Sequence, residues 1–404
     1  MRKFPVYWIW FAELGKLSLR KKRQLLEVYG DPESIFLMDP KELPAEIAKA
    51  VEEKDLTEAL RILRQCSEQG IGILTYADTA YPDSLRNIAD PPMVLYYRGT
   101  LPDWNAQPVI GVVGTRKASI YGLQTAALLA SQIAACGGLV VSGAANGIDA
   151  ASMTGALEAS KPTVGVLGGG VDVVYPAKNR ELYRRTEENG CLISQYVPGS
   201  HPYPANFLQR NRIISGLSDG VLVVEAPAKS GALNTARHAL SQGRDLFAVP
   251  GNLGVPTCQG SNTLLQEGAY AALSGWDVVK HYASRYPGAV ENRQVFPTKA
   301  EEDPLPRVAE PHSLPENRPD KKETPAKIAI DNSGKSTYSV INKRPTVLSD
   351  QENAVLALLR TQPELPDSIL DRADLPASTV QSILTRLTIK GLVTQHPDGR
   401  ISRK

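Results

Sequence analysis

Glycine-rich segments follow four of the strands that the sequence predicts, and their composition suits the binding of anions. They span residues 114–122, 142–149, 168–170 and 225–232, and the second contains Gly143. Glycines let backbone N–H groups approach an anion closely, and helices predicted to begin near Gly147 and Gly231 add the positive ends of their dipoles. Any one segment could serve only as a tight turn. Four segments side by side favour a rim that accepts phosphate groups.

Basic residues accompany these segments. Arg116 lies in the first, Lys178 follows Tyr175-Pro176, and Lys229 precedes Ser230-Gly231. A guanidinium matches phosphate oxygens bidentately, so two further arginines at the predicted opening of an apolar helix could grip successive phosphates of a strand. The nucleic-acid-binding set predicted in this way is Arg116, Gly143, Lys178, Arg210, Arg212, Lys229, Ser230 and Gly231.

Arg210 and Arg212 also have a structural interpretation, in which one of them points inward and pairs with Asp149 or Glu225. Two positions separated by two residues do not share a helix face, so at least one of the two arginines is expected to be structural. The two carboxylates could in principle form a catalytic pair for cleaving a glycosidic bond. Residues of this kind more often orient loops, and we predict that the protein is not an enzyme.

Other catalytic and cofactor signatures are missing from the sequence. It contains neither a GxxxxGK[ST] loop nor a GxGxxG loop with an acidic ribose partner, which disfavours a P-loop ATPase and a dinucleotide dehydrogenase. Ser230-Gly231 is better explained as a helix cap than as a nucleophile, and the five histidines show no HExxH spacing. We therefore expect neither a metal nor another cofactor.

The sequence pattern around the glycine-rich segments predicts a doubly wound α/β fold. Continuous apolar strands that alternate with helical stretches of about 10–15 residues predict a mostly parallel sheet covered on both faces. Ligands collect at the carboxyl ends of the strands in such sheets, which is where the glycines stand. The strands predicted are residues 109–113, 139–142, 163–167, 191–194, 220–225 and 245–249.

Composition divides the 404-residue chain into four regions. Residues 1–70 predict a small helical module, 71–281 the α/β domain, 282–345 a proline-rich flexible linker and 346–404 a winged helix with three helices and a hairpin. No apolar run approaches the roughly 18 residues that span a bilayer. Four cysteines without CxxC spacing predict a cytoplasmic protein.

The net charge of +2 excludes a chain-wide basic field, so any polyanion site must be local. The third helix of the winged-helix region, residues 378–390, offers few cations to duplex DNA. Its exposed positions are predicted to be Gln381, Thr385, Arg386 and Lys390. Both a duplex-binding role and a protein-contact role remain open for this region.

Over most of its length the chain resembles the DNA processing protein A (DprA, also called Smf) family. The motifs that carry the resemblance include Tyr81-Pro82-Asp83-Ser84-Leu85, Gly114-Thr115-Arg116, Gly147-Ile148-Asp149, Arg210-Asn211-Arg212-Ile213-Ile214-Ser215-Gly216-Leu217 and Lys229-Ser230-Gly231-Ala232-Leu233. The chain departs from the family pattern at three positions, Asn146, Met153 and Gln195, where the family often has Arg, His and Glu.

The resemblance implies an extended Rossmann domain with a sterile-alpha-motif-like module before it and a winged helix after it. It implies a single-stranded DNA-binding recombination mediator that protects incoming DNA and loads the RecA recombinase during natural transformation. It also implies a homodimer formed through the Rossmann domain. Arg116, Lys178, Arg210 and Lys229 would be the residues that contact the strand.

Two alternatives belong to other functional classes. A nucleotide-binding or nucleotide-hydrolysing Rossmann protein, related to phosphoribohydrolases, would carry a Pro-Gly-Gly-x-Gly-Thr loop with a downstream catalytic Glu, whereas this chain has Ala228-Lys229-Ser230-Gly231-Ala232-Leu233-Asn234-Thr235. The missing acid argues against hydrolysis. A regulator that acts through the winged helix would prefer duplex DNA and lose binding when residues 346–404 are removed.

Overall fold

The computed structural model describes residues 4–52, 54–293 and 350–360, and the following positions beyond them: 362, 364, 368–369, 372–373, 375, 379–380, 383–384, 387, 392–396 and 400–403. The described residues before position 294 form one compact unit, and those from 350 onward form a second. Most of the predicted linker lies outside the described residues. Within the described part of the chain, no helix is long and apolar enough to cross a membrane.

The chain begins with five helices, which are α1 (Pro5–Glu13), α2 (Leu19–Tyr29), α3 (Pro32–Leu37), α4 (Ala45–Ala50) and α5 (Thr57–Glu68). Side chains cap the N-termini of α2 and α3: Ser18 accepts a hydrogen bond from the Lys21 amide, and Asp31 accepts one from the Ser34 amide. Trp8, Trp10 and Phe11 of α1 are buried in a core shared with the sheet domain, in which Trp10 packs edge-on against Phe36.

A nine-stranded sheet forms the centre of the first unit. Its strands are β1 (Gly72–Thr75), β2 (Val94–Gly99), β3 (Val109–Val113), β4 (Leu139–Ser142), β5 (Thr163–Val166), β6 (Cys191–Ser194), β7 (Gly220–Val223), β8 (Asp245–Ala248) and β9 (Tyr270–Ala271). The spatial order is β1-β2-β6-β5-β4-β3-β7-β8-β9. The β1–β2 and β2–β6 pairs are antiparallel and the other pairs are parallel, which confirms the mostly parallel α/β fold.

Helices cover both faces of this sheet. They are α6 (Asp83–Arg86), α7 (Ile120–Ala135), α8 (Ile148–Glu158), α9 (Arg180–Asn189), α10 (Pro204–Leu217), α11 (Gly231–Ser241), α12 (Gln259–Gln266) and α13 (Gly275–Val279). Val109 and Val113 of β3 contribute to the core under α10 and α11, whereas Ile110 and Val112 contribute to the core under α7, α8 and α13. This alternation is the pleat of a strand that is buried on both faces.

The predicted strand ends need small corrections. β5 and β8 end one residue earlier than predicted, and β7 ends two residues earlier. The backbone amides of Leu167, Val224 and Val249 still donate hydrogen bonds to the neighbouring strand, so each strand loses its regular pairing gradually. β1, β2 and β9 come in addition to the six predicted strands.

The second unit contains α14 (Asp350–Leu358) and an antiparallel hairpin of β10 (Val393–Gln395) and β11 (Ile401–Arg403). Residues 368–369, 379–380, 383–384 and 387 are helical, at positions within the second and third predicted helices. The winged-helix pattern is therefore confirmed. The 397–399 turn and the side chains of Gln381, Thr385, Arg386 and Lys390 lie outside the described residues. The core consists mainly of Val355, Leu359, Ile369, Val380, Ile383, Leu387, Val393 and Ile401.

Candidate nucleic-acid interface

A cleft opens at the carboxyl edge of the sheet, between the loops that follow β3 and β7. The chain proceeds from β3 through β4 and β5 to β6 on one side and returns to place β7 on the other, so these two strands form the topological switch point. The cleft has a volume of about 520 Å³. Its lining includes Gly114, Thr115, Arg116, Lys117, Asp149, Phe207, Arg210, Lys229, Ser230, Gly231 and Thr257.

The loop after β3 turns sharply into the cleft. A Cβ atom at Gly114 would collide with Ile148 and with the backbone oxygen of Glu225, so only glycine fits there. Ser119 ends the loop by capping α7, where its hydroxyl oxygen accepts a hydrogen bond from the Gly122 amide at 3.0 Å. Between these two anchors Arg116 is exposed, with its guanidinium carbon 4.6 Å from the ring centre of Phe207.

The loop after β7 presents the start of α11 to the same cleft. The Ser230 hydroxyl accepts a hydrogen bond from the Ala232 amide at 3.2 Å, as expected for a helix cap. Lys229 and Gly231 are exposed beside it. Neither Arg116 nor Lys229 forms an ion pair with any described residue. The cleft therefore joins two cations, neither of them in an ion pair, to the positive end of a helix dipole.

Arg210 lies beneath this surface. It stands in the middle of α10, so the prediction that it opens a helix is wrong: the helix begins at Pro204, a residue preorganised for a first turn. The residue is only 2% exposed, and its guanidinium donates to the backbone oxygen of Val166. Gly143 fits against it because a Cβ atom there would collide with Arg210 and with the Asp149 carboxylate.

Arg210 and Asp149 influence each other's pKa. Burial raises the pKa of the Asp149 carboxyl, and the charge of Arg210 opposes that rise. Burial also lowers the pKa of the Arg210 guanidinium, and Asp149 opposes that shift. The Nε atom of Arg210 has no hydrogen-bond partner among the described residues. The cleft floor thus contains a buried arginine with a donor to spare.

Arg212 and Lys178 do not line the cleft. Arg212 is buried, bonds the Asp90 carboxylate at 2.9 Å and donates to the Gln195 side chain at 2.7 Å. One of the two arginines is thus structural, as expected, but its partner is Asp90, whereas the sequence had suggested Asp149 or Glu225. Lys178 is exposed in a short 3-10 turn before α9. The other predicted residues come together as the cleft lining or, for Gly143, directly beneath it.

Lys117 and Thr257 are polar lining residues that the predicted binding set did not include. Lys117 follows Arg116 directly, and its basic side chain was the available signal. Thr257 comes from a turn after β8 and has no recognisable motif. The ring of Phe207 packs against Gly168 and lies 5.6 Å from the Tyr175 ring, so it forms a half-buried aromatic platform at the cleft.

The carboxylates at the cleft interact with neighbouring side chains of the protein. Glu225 is buried and accepts hydrogen bonds from Ser119 and Thr257, and Asp149 faces Arg210. No His, Cys, Asp or Glu cluster suited to a metal ion occurs among the described residues. What the arrangement offers chemically is anion binding, from cations, backbone amides and a stacking surface.

Comparison with known proteins identifies the family. Residues 72–283 match the family model described as DNA recombination-mediator protein A. The chain belongs to this family. Residues 342–399 match the DprA winged helix domain, so the resemblance found in the sequence is confirmed for both units.

Individual relatives agree with the family model. The chain is 40% identical over 225 residues to a DNA processing protein DprA of Bacillus subtilis, an alignment covering 56% of this chain and 76% of that protein. It is 32% identical over 361 residues to a protein Smf of Synechocystis, covering 89% and 86%. The solved structure of DprA from Streptococcus pneumoniae aligns with a TM-score of 0.60 and 31% identity, covering 69% of this chain and 98% of that one.

Proposed function

We propose that this recombination-mediator protein binds single-stranded DNA, without sequence preference, in the cleft at the switch point. The observation that carries the proposal is that two cations without ion-pair partners among the described residues, Arg116 and Lys229, line the same cleft as the Phe207 platform. Cations along a groove contact the phosphates of a strand, and an aromatic ring stacks on a base whatever its identity. The cleft therefore has both components of a single-strand site.

The buried position of Arg210 assigns the cations different roles. Arg116 and Lys229 release counterions when they contact phosphates, which makes the affinity depend on salt. Arg210, held between the Val166 oxygen and Asp149, supports the floor of the cleft and adds its positive charge to the site from below. Lys178 is exposed outside the cleft, where it would contact a phosphate of the strand beyond the cleft.

Fluorescence anisotropy with a labelled oligonucleotide, single-stranded or duplex, across a salt series tests the proposal. The wild type should prefer the single strand. The double variant Arg116→Ala/Lys229→Ala should lose at least roughly tenfold in affinity, and its salt slope should fall by about 1.4, because each phosphate contact on a single strand contributes about 0.7. The variant Lys16→Ala/Arg64→Ala changes the net charge equally at exposed positions of the helical module and should behave as wild type.

Two outcomes would contradict the proposal. If the wild type does not bind the single strand at low salt, the cleft must be tested with mononucleotides, the ligands of the related Rossmann hydrolases. If a protein without residues 346–404 loses all DNA binding, the winged helix is the principal binding site. We expect the truncated protein to retain its affinity for the single strand.

We further infer, from membership of the family, that the protein acts as a homodimer and loads RecA onto the bound strand. Light scattering after size-exclusion chromatography should give twice the 43.7 kDa of one chain. RecA ATPase activity on a single strand coated with single-strand-binding protein should begin sooner in the presence of this protein. A monomeric mass at micromolar concentration, or an unchanged lag, would overturn the corresponding inference.

A further inference from the structure

A buried carboxylate ties together two loops of the cleft. Glu225 follows β7 and is 2% exposed. Its oxygens accept hydrogen bonds from the Ser119 backbone amide at 2.9 Å and from the Ser119 hydroxyl at 2.6 Å. The Thr257 hydroxyl donates to the same carboxylate at 3.3 Å. Ser119 belongs to the loop that carries Arg116, and Thr257 belongs to the 3-10 turn Pro256–Cys258 before α12.

The surrounding backbone fits this carboxylate closely. The backbone oxygen of Glu225 accepts a hydrogen bond from the Thr115 amide at 2.7 Å, next to Arg116. Gly122 lies against the carboxylate, and a Cβ atom there would collide with it. The loop between Thr115 and Ser119 is therefore held at both ends by one residue, once through its backbone and once through its side chain.

We infer that Glu225 is a positioning residue for the single-strand site: it holds the 115–119 loop so that Arg116 stands over Phe207. This inference rests on the proposed function of the cleft. A carboxylate suits the position because it has only acceptors and meets four donors, the fourth being the Cys258 thiol at 3.9 Å, whereas an amide would turn an NH₂ group toward one of them. A buried negative charge beneath a phosphate site would weaken the binding of phosphate if it had no partners. The hydrogen bonds that the Glu225 carboxylate accepts explain why the fold tolerates it.

The test is a double-mutant cycle between Glu225→Gln and Arg116→Ala, measured by single-strand anisotropy across salt. If Glu225 acts through Arg116, Glu225→Gln should lower affinity roughly fivefold and reduce the salt slope by about 0.7. The double variant should then bind within about twofold of Arg116→Ala. Losses that multiply in the double variant, or a Glu225→Gln salt slope equal to that of wild type, would overturn the inference.

Asp219 supplies the matched control, because it is a buried acid at the other end of β7. It accepts hydrogen bonds from the Val109 amide at 2.9 Å and the Tyr286 hydroxyl at 3.0 Å, and it pairs with Arg285 at 2.7 Å. Asp219→Asn should lower the melting temperature, while its effect on affinity should be independent of Arg116. A cycle in which Asp219→Asn couples to Arg116→Ala as strongly as Glu225→Gln does would make the coupling a general stability effect and overturn the inference.

Hydrogen–deuterium exchange of the DNA-free protein tests the positioning role separately from DNA binding. Glu225→Gln should increase exchange at the amides of residues 115–122 and leave β4 and β5 unchanged. Unchanged exchange in the loop would contradict the inference even if DNA binding falls. If the wild type fails to bind the single strand, the proposed function is wrong, and the exchange result still decides whether Glu225 holds the loop.

Discussion

The two edges of the sheet each carry a cleft, and they differ in how their charges are balanced. The cleft at the amino edge is the larger, about 620 Å³ against about 520 Å³ at the carboxyl edge. At the amino edge, Asp219 pairs with Arg285, Asp90 pairs with Arg212, and the half-buried Arg244 donates to the backbone oxygens of Ser84 and Gly216. At the carboxyl edge, Arg116 and Lys229 are exposed and form no ion pair with any described residue. Exposed cations without such a partner, rather than volume, distinguish a site prepared for a polyanion.

Helix α10 shows the same contrast within three residues. Arg210 lines the carboxyl-edge cleft and has a donor without a partner in the described part of the chain, whereas Arg212 turns toward Gln195 and toward Asp90, which lines the amino-edge cleft. Two positions within one turn of the helix thus direct one arginine to the floor of the cleft and the other to a buried ion pair. The motif Arg-Asn-Arg, taken as a unit in the sequence, combines two different functions.

The largest expected effect is the loss of stability when Arg212 is removed. Arg212→Ala leaves the Gln195 oxygen and backbone carbonyls without their donor and opens a cavity in a buried place. We expect the free energy of unfolding to fall by about 3 kcal/mol, measured by urea denaturation. The fraction that remains folded should bind the single strand with unchanged affinity. A specific loss of affinity at full stability would place Arg212 in the binding surface and break the comparison.

Arg116 and Arg285 are exposed arginines at opposite edges of the sheet. Replacing either by alanine removes one positive charge, so the two variants compare the two clefts at equal net charge. Arg116→Ala should lower single-strand affinity roughly tenfold, because a charge-assisted contact to phosphate contributes about 1.5–3 kcal/mol. Arg285→Ala removes a cation that Asp219 already compensates and should change affinity less than about twofold. Anisotropy at one salt concentration measures both. Equal losses would mean that the whole surface, and not the cleft, attracts DNA.

Substitution of Phe207 measures the contribution of base stacking to affinity separately from that of charge. Phe207→Ala should weaken binding of an ordinary single strand by about 1 kcal/mol, the lower end for base stacking, because Arg116 and Lys229 keep their phosphates. On an oligonucleotide without bases the same substitution should have no effect. Isothermal titration with the two oligonucleotides tests this directly. An equal loss on both would show that Phe207 acts by supporting Arg116, whose guanidinium lies over its ring.

Local signals in the sequence predicted much of this arrangement. The glycine-rich segments, the helix start at Ser230 and the central strands follow from residue type and spacing over a few positions. The switch-point rule then placed the cleft at the carboxyl edge. Long-range pairing escaped prediction: Asp90 lies 122 positions from Arg212, and Thr257 reaches Glu225 from a separate loop. The two-residue β9 is also too short to give a periodic pattern.

The smallest expected effect concerns pH at the amino edge, where His238 lines the cleft. Burial lowers the pKa of His238 below its usual value of 6.5, and the neighbouring Arg212 and Arg237 lower it further, while Asp90 opposes them. In the window just below pH 6.5 the unfolded chain therefore binds more protons than the folded one, and stability falls as the solution is acidified. Because His238 is half-exposed, the loss should be only a few tenths of a kcal/mol.

Urea denaturation at pH 7 and pH 5.5 should show that His238→Gln reduces this loss. Single-strand affinity at the two pH values should shift equally in variant and wild type, because no DNA phosphate is expected at this edge; a different shift would show that the paired charges here also contact DNA.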